Sequence, residues 1–205
     1  WGFDGSHQVA GAPTGPGYSQ VAAGSWHCLA LRDTGFLESW GSDLHSLVLG
    51  TPTNDGFVMV ACGEHHSLAL RVGGFIVSWG DDSSGQVSQT PLGGGFVQMA
   101  GGGHHSVALK SDGSLVSWGA DDVGQVSDTP LGNDFVQVAA GHRNSYALRS
   151  DGTLVSWGID SWNQVSDTPA GSGHRSIAVG VGGHCIVLRD NTSLVAWGYD
   201  QDGQV

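Results

Sequence analysis

The dipeptide Trp-Gly occurs at Trp1, Trp40, Trp79, Trp118, Trp157 and Trp197, at steps of 39, 39, 39, 39 and 40 residues. So regular a beat restricts the fold more than any other feature. Each period must be one supersecondary unit that buries its apolar face against the next. A longer template travels with the beat. Asp stands three residues after each tryptophan, at Asp4, Asp43, Asp82, Asp121, Asp160 and Asp200. A Gln-Val pair follows at Gln8, Gln86, Gln125, Gln164 and Gln204, replaced once by Leu47-Val48. Pro13, Pro52, Pro91, Pro130 and Pro169 come next.

Within a period the pattern predicts three short strands, A, B and C. They are exemplified by Val136 to Ala140, His105 to Lys110 and Leu115 to Trp118. Each run is apolar or β-branched in alternation and ends at turn residues. Asp112-Gly113 and Asp151-Gly152 supply tight hairpins between B and C. Gly, Ser and β-branched residues are too frequent for a helix of useful length. The 35 glycines recur in register, which marks fixed turns rather than low complexity. Small residues fill A and B while C ends in tryptophan, a gradient that suits a blade widening away from an axis. The expected fold is therefore all-β, a β-propeller of about 39-residue blades. It forms one domain over 1–205, with repeats 1–39, 40–78, 79–117, 118–156 and 157–196 and a partial repeat 197–205. Each periodic indole buries roughly 150–250 Å², or about 4–6 kcal/mol as an upper bound.

The run from Val138 to Gly158 and the trailing Gly-x-Asp-x-x-Gly-Gln-Val of Gly119 to Val126 resemble the repeat of the regulator of chromosome condensation family. The resemblance extends over essentially the whole chain. Trp-Gly at the end of strand C separates it from the WD-repeat propellers, which carry Trp-Asp there. The short, insertion-free period is similar to that of the bacterial propeller that inhibits β-lactamases. The resemblance implies a propeller, usually of seven blades, whereas five strand sets are present. Trp1 to Val9 and Trp197 to Val205 are copies of one segment and would compete for one position in a closed five-blade ring. The chain is thus a closed five-blade ring or part of a larger one, such as a seven-blade ring, with the larger favoured. The family also includes a nucleotide exchange factor for the small GTPase Ran, which relies on an inserted wedge and a basic tail; neither is seen. A plant ultraviolet photoreceptor shares the fold, but Gly24-Ser25-Trp26-His27-Cys28 is only a single loose echo of its tryptophan motif.

Charge narrows the partners. The chain carries 7 Lys+Arg against 19 Asp+Glu, a formal charge of −12. It lacks the basic footprint that nucleic acid requires, and anionic membranes are disfavoured for the same reason. No run of 18 apolar residues exists to span a bilayer. No basic and apolar leader precedes Trp1, so any targeting segment is expected to be missing already. Three cysteines, Cys28, Cys62 and Cys185, argue against a disulfide framework. Cys28 and Cys185 occupy a template place that is Ser67, Ser106 and Ser145 elsewhere and read as small filler, although a five-blade ring would make them neighbours.

In a repeat protein the departures from the template carry individuality. Here they concentrate in the A–B turns and in the loops after strand C, which the up-and-down order of strands puts at one end of the propeller. The candidate partner-binding residues are Trp26, Glu64, His65, His104, His142 and Arg143 in the turns, with Phe3, Trp162 and Tyr199 in the loops. Exposed aromatic, His and Arg residues on a rigid frame are common binding anchors. Five of the seven basic residues, Arg32, Arg71, Lys110, Arg149 and Arg189, fall at the opposite end, where they are expected to pair with Asp33, Asp112, Asp151 and Asp190. The loop face is accordingly expected to be acidic and to favour a basic partner.

No catalytic residues, no metal and no cofactor are assigned. His27, His66, His105 and His184 are spread one per blade instead of converging on an ion. They are expected to bond to nearby backbone. The periodic aspartates are expected to accept backbone N–H bonds in their own loops. No nucleophile elbow, phosphate loop or His-Glu-x-x-His is present. The expected function is a non-enzymatic scaffold for protein–protein interaction. A lectin-like module, a structural part of a larger assembly and, less favoured, a nucleotide exchange factor are the alternatives.

Overall fold

A computed structural model describes residues 4–180, 182–201, 203 and 205. Alternating short strands fold into five antiparallel three-stranded sheets, each formed by consecutive strands. Blade 1 comprises β1 (Tyr18–Ala23), β2 (His27–Arg32) and β3 (Leu37–Gly41). Blade 2 comprises β4 (Phe57–Cys62), β5 (His66–Arg71) and β6 (Ile76–Gly80), and blade 3 comprises β7 (Phe96–Gly101), β8 (His105–Lys110) and β9 (Leu115–Gly119). Blade 4 holds β10 (Phe135–Ala140), β11 (Asn144–Arg149) and β12 (Leu154–Gly158). Blade 5 holds β13 (His174–Val179), β14 (His184–Arg189) and β15 (Leu194–Gly198). The only helical element among the described residues is a short 3-10 turn at Leu44–Ser46, so no helix is long and apolar enough to cross a membrane.

The first strand starts one residue earlier than alternation suggests, at Phe135 rather than Val136. Pairing skips a residue between Phe135 and Gln137, and the same irregularity recurs in all five blades. The extra residue keeps Phe135 in the core while Val136 points outward. At the B–C hairpin, Gly113 adopts φ 82°. A Cβ there would lie 2.2 Å from the Asn133 carbonyl oxygen, so this turn requires glycine for space as well as conformation.

Among the described residues, four apolar cores lie between successive blades. The first joins Leu29, Leu31 and Leu37 of blade 1 to Phe57, Val60, Ala69 and Trp79 of blade 2. The next three repeat this arrangement around Trp118, Trp157 and Trp197. Each of these indoles also donates its Nε1–H to the loop preceding its blade. Trp79 bonds the Leu47 carbonyl at 3.0 Å, Trp118 that of Gln86 at 2.9 Å, Trp157 that of Gln125 at 2.9 Å and Trp197 that of Gln164 at 3.0 Å. The periodic tryptophan thus satisfies its polar atom while filling the wedge between sheets.

Polar latches cross the same interfaces. Gln20 donates its Nε2–H to the Val60 carbonyl and accepts the Val60 N–H, and Gln137 treats Ile177 likewise. The histidines are latches too, which corrects the expectation of backbone partners. His27 Nε2 meets Ser67 Oγ at 2.8 Å, His66 meets Ser106 at 2.8 Å and His105 meets Ser145 at 2.7 Å, each on the following blade. Burial drives their pKa values down to about 4 for His27, about 3 for His66 and about 4 for His105. In blade 4 the place is held by Asn144, whose side-chain N–H bonds the Tyr146 hydroxyl at 2.7 Å.

The periodic aspartates behave as loop clamps. Asp121 Oδ1 accepts the N–H groups of Val126 and Ser127 at 2.9 and 2.8 Å, and Asp43, Asp82 and Asp160 do the same in their copies. The basic residues at the ends of the B strands depart from expectation. Arg71, Lys110 and Arg149 lie over the rings of Phe57, Phe96 and Phe135, and Arg32 over Tyr18. Arg149 pairs with Asp134 and Arg32 with Glu38. The hairpin Asp112 and Asp151 instead accept N–H bonds from Ser114 and Thr153 in their own turns.

Among the described residues no fifth core joins blade 5 to blade 1. Val21 of blade 1 is 69% exposed, whereas its counterpart Val60 in blade 2 is 3% exposed. On the far side of blade 5, Leu194 is 63% exposed where Leu37 and Ile76 are buried. The five blades therefore form an open arc rather than a closed five-blade ring. Cys28, Cys62 and Cys185 are all free, and no interface brings Cys28 to Cys185.

Candidate functional site on the loop face

The A–B turns and the loops after the C strands share one end of the arc because A and C both run toward it. Backbone bonds tie them together. Asp81 N–H donates to the His65 carbonyl, Ala120 to His104 and Ile159 to Arg143, so each return loop is fixed to the turn of its own blade. Gly103 N–H reaches the His142 carbonyl of the next blade at 2.8 Å. Side chains that differ between copies are thereby set side by side on a rigid frame.

Four imidazoles run in a row across three blade boundaries. Ring centres are 6.2 Å apart for His45 and His65, 6.0 Å for His65 and His104, and 6.5 Å for His104 and His142. Two carboxylates are interleaved with them. Glu64 lies 3.8 Å from His65 Nε2 and 3.1 Å from His142 Nε2. Asp81 lies 3.7 Å from His45 Nδ1 and 3.6 Å from His104 Nδ1. Burial raises the Asp81 pKa, but hydrogen bonds from Ser83 and Gln86 outweigh it and hold the carboxyl below its ordinary value. Arg143 closes the row with an ion pair to Asp122. Among the described residues no group of three or more His, Cys, Asp or Glu is arranged to hold a metal ion.

The row leads into two cavities that share His142 and Arg143. One, of about 620 Å³, lies over Ala120, Asp121, Asp122 and Gln125. The other, of about 340 Å³, is floored by Asn144 and Gln164 and walled by Ile159 and Trp162. This slot exists because of the fifth A–B turn. The second turn position carries Trp26, His65, His104 and Arg143 in blades 1 to 4 but Gly183 in blade 5. Gly183 has φ 88°, and a Cβ there would lie 3.1 Å from Gln164 Nε2 and 3.5 Å from the Trp162 ring. Trp162, 50% exposed, packs edge-on against Tyr199 with ring centres 4.9 Å apart.

Of the sequence candidates, Glu64, His65, His104, His142 and Arg143 fall in the row, and Trp162 and Tyr199 at the slot. Trp26 lies at the same end in blade 1 and is partly exposed. Phe3 lies outside the described residues. His45, Asp81 and Asp122 join the site although they were not among the candidates. Their signal was departure from the template in the return loops, where Asp81 and His45 stand at positions that vary from copy to copy.

Comparison with known proteins agrees with the strand pattern. The model of the regulator of chromosome condensation (RCC1) repeat matches residues 57–86, 96–125 and 135–164. Three of the five periods carry the repeat of this family. No curated protein matches it. Among solved structures, human WBSCR16 superposes with a TM-score of 0.73 at 24% identity, covering 89% of this chain and 62% of that one. Prp20p from Saccharomyces cerevisiae, described with its binding properties to Gsp1p and histones, gives 0.71 at 22%, covering 90% and 57%. The ectodomain of the Physcomitrella patens receptor kinase CR4 gives 0.72 at 24%, covering 88% and 50%. At these identities the likeness is one of fold. The chain spans half to under two thirds of the length of these structures.

Proposed function

We propose that this repeat protein is a non-enzymatic scaffold that binds a protein partner through its loop face. The observation that carries this reading is the convergence of template departures from four blades onto one surface that ends in the Trp162 slot. A rigid, half-exposed indole beside an open cavity is the kind of anchor that dominates interface energy. The surrounding carboxylates Glu64, Asp81 and Asp122, on a chain of formal charge −12, favour a partner with a basic surface. That the related fold of Prp20p is described with binding to Gsp1p and histones supports a protein partner of this kind. A single sugar ring would also find an aromatic wall and two amides in the slot, which keeps the lectin-like alternative specific to blades 4 and 5.

A photo-reactive phenylalanine analogue placed at Tyr199 tests the reading, with Asp151 on the opposite hairpin as the control position. A partner crosslinked from Tyr199 alone, whose affinity falls at least about tenfold in Trp162→Ala with melting unchanged, is the expected result. Equal crosslinking from both positions overturns the loop face as the binding surface. Binding on a glycan array that depends on Trp162 would replace the protein partner with a carbohydrate.

A further inference from the structure

We propose that the interleaved histidine–carboxylate row is a pH-operated switch, which holds a cationic protein segment at neutral pH and releases it on acidification. The proposal rests on the loop face being the binding surface and adds its regulation. The groups involved come from every turn and loop packed there. They are His45 after β3, Glu64 and His65 between β4 and β5, and Asp81 after β6. His104 between β7 and β8, Asp122 after β9, and His142 and Arg143 between β10 and β11 complete them. Nearby Asp43, Asp82 and Asp121 also carry charge, but their carboxylates are committed to their own loop N–H groups. With the four imidazoles neutral, three carboxylates face one guanidinium and the row attracts cations. With all four protonated, five positive groups face three negative ones and the sign is reversed.

Geometry makes this change cooperative with binding. Each bridging carboxylate has an imidazole nitrogen on two sides at 3.1 to 3.8 Å, so protonation of those rings pairs its charge internally and withdraws it from the field that attracts a cationic partner. Glu64 Oε2 is buried without a hydrogen bond among the described residues and lies 3.1 Å from His142 Nε2, so a proton gained by that imidazole finds an acceptor already in place. Imidazole is the side chain whose ordinary charge change falls between about pH 5 and 8. The buried latch histidines do not contribute there, since burial holds His66 at about 3 and His105 at about 4.

The test uses a fluorescent hexalysine peptide as the probe, with the full chain at fixed ionic strength. Affinity is expected to fall at least about threefold between pH 7.5 and 6.0 for the wild type, above the range in which the buried latch histidines draw most heavily on stability. The variant carrying His45→Gln, His65→Gln, His104→Gln and His142→Gln should keep its neutral-pH affinity across the range. Near-UV circular dichroism establishes that each protein is folded, and the triple variant that retains half-buried His65 serves if the quadruple one is not. Failure of hexalysine to bind at pH 7.5, or an equal loss of affinity in wild type and variant, overturns the switch. Partner crosslinking from Tyr199 that is unchanged between the two pH values would sink the switch while leaving the binding surface intact.

Discussion

The buried histidine latches make the fold acid-sensitive by an amount that follows from the structure. In the unfolded chain His27, His66 and His105 titrate near 6.5, whereas burial holds the folded values at about 4, about 3 and about 4. Below about pH 6.5 the unfolded chain therefore takes up protons that the folded chain refuses, and stability falls with pH until the folded values are reached. Each unmatched proton contributes about 1.4 kcal/mol per pH unit, so by pH 5 each site has lost about 2 kcal/mol and the three together about 6. A loss of that size is comparable with the whole stability of an ordinary domain. Urea unfolding followed by tryptophan fluorescence at pH 7.5, 6.0 and 5.0 measures it. His105→Asn, which copies the residue that blade 4 carries at Asn144, should reduce the slope below pH 6 by about 1.4 kcal/mol per unit. A wild-type midpoint that is flat from pH 7.5 to 5.0, or a variant slope equal to the wild type, would refute the assignment of these imidazoles as neutral buried groups.

The two classes of tryptophan should separate cleanly. Trp118→Ala empties an inter-blade core and should cost about 3–5 kcal/mol, while Trp162→Ala should change unfolding midpoints little and act on partner binding. The open arc predicts that Val60→Asp unfolds the chain or costs several kcal/mol, whereas Val21→Asp at the uncovered flank stays within about 0.5 kcal/mol in the same urea assay. Removing a loop clamp by Asp121→Ala should strip the Val126 and Ser127 amides of their protection in hydrogen exchange, with the β7–β9 core amides unaffected. Burial raises the thiol pKa of Cys62 to about 12 and of Cys185 to about 11. Neither should react with a thiol-specific chromophore at pH 8 until the chain is unfolded.

How much of this was legible depends on what a repeat records. Strict spacing of Trp40, Trp79, Trp118 and Trp157 reports equivalence, and from equivalence the blade, its three strands and its loop clamps follow. It does not report which equivalent residues touch. The bonds from Gln20 to Val60 and from His66 to Ser106 join side chains 40 residues apart, and nothing local to either residue announces them. One trace was present. The copy that replaces its histidine with Asn144 is followed by the copy that replaces its serine with Cys185, so the two departures sit on the two sides of one joint. The basic residues were misassigned for a related reason. Asp-Gly hairpins look like charge partners in sequence, but their carboxylates are used up by the turn, and the cations settle over the Phe rings brought in by the strand bulges. In the same way the histidine row needed the fold, because Asp81 joins His45 and His104 from three different blades.

The histidine-to-serine joint has a direction, and that direction makes the blade a transferable part. A unit that carries a plug on one flank and a socket on the other can be copied or cut out whole without any neighbour having to adapt. Excision of one interior copy such as 79–117 brings His66 opposite Ser145 and reproduces a joint the molecule already contains, so the shortened chain should still fold. Lineages built from such units can change their length in single steps of one blade while the loops at the rim diverge freely.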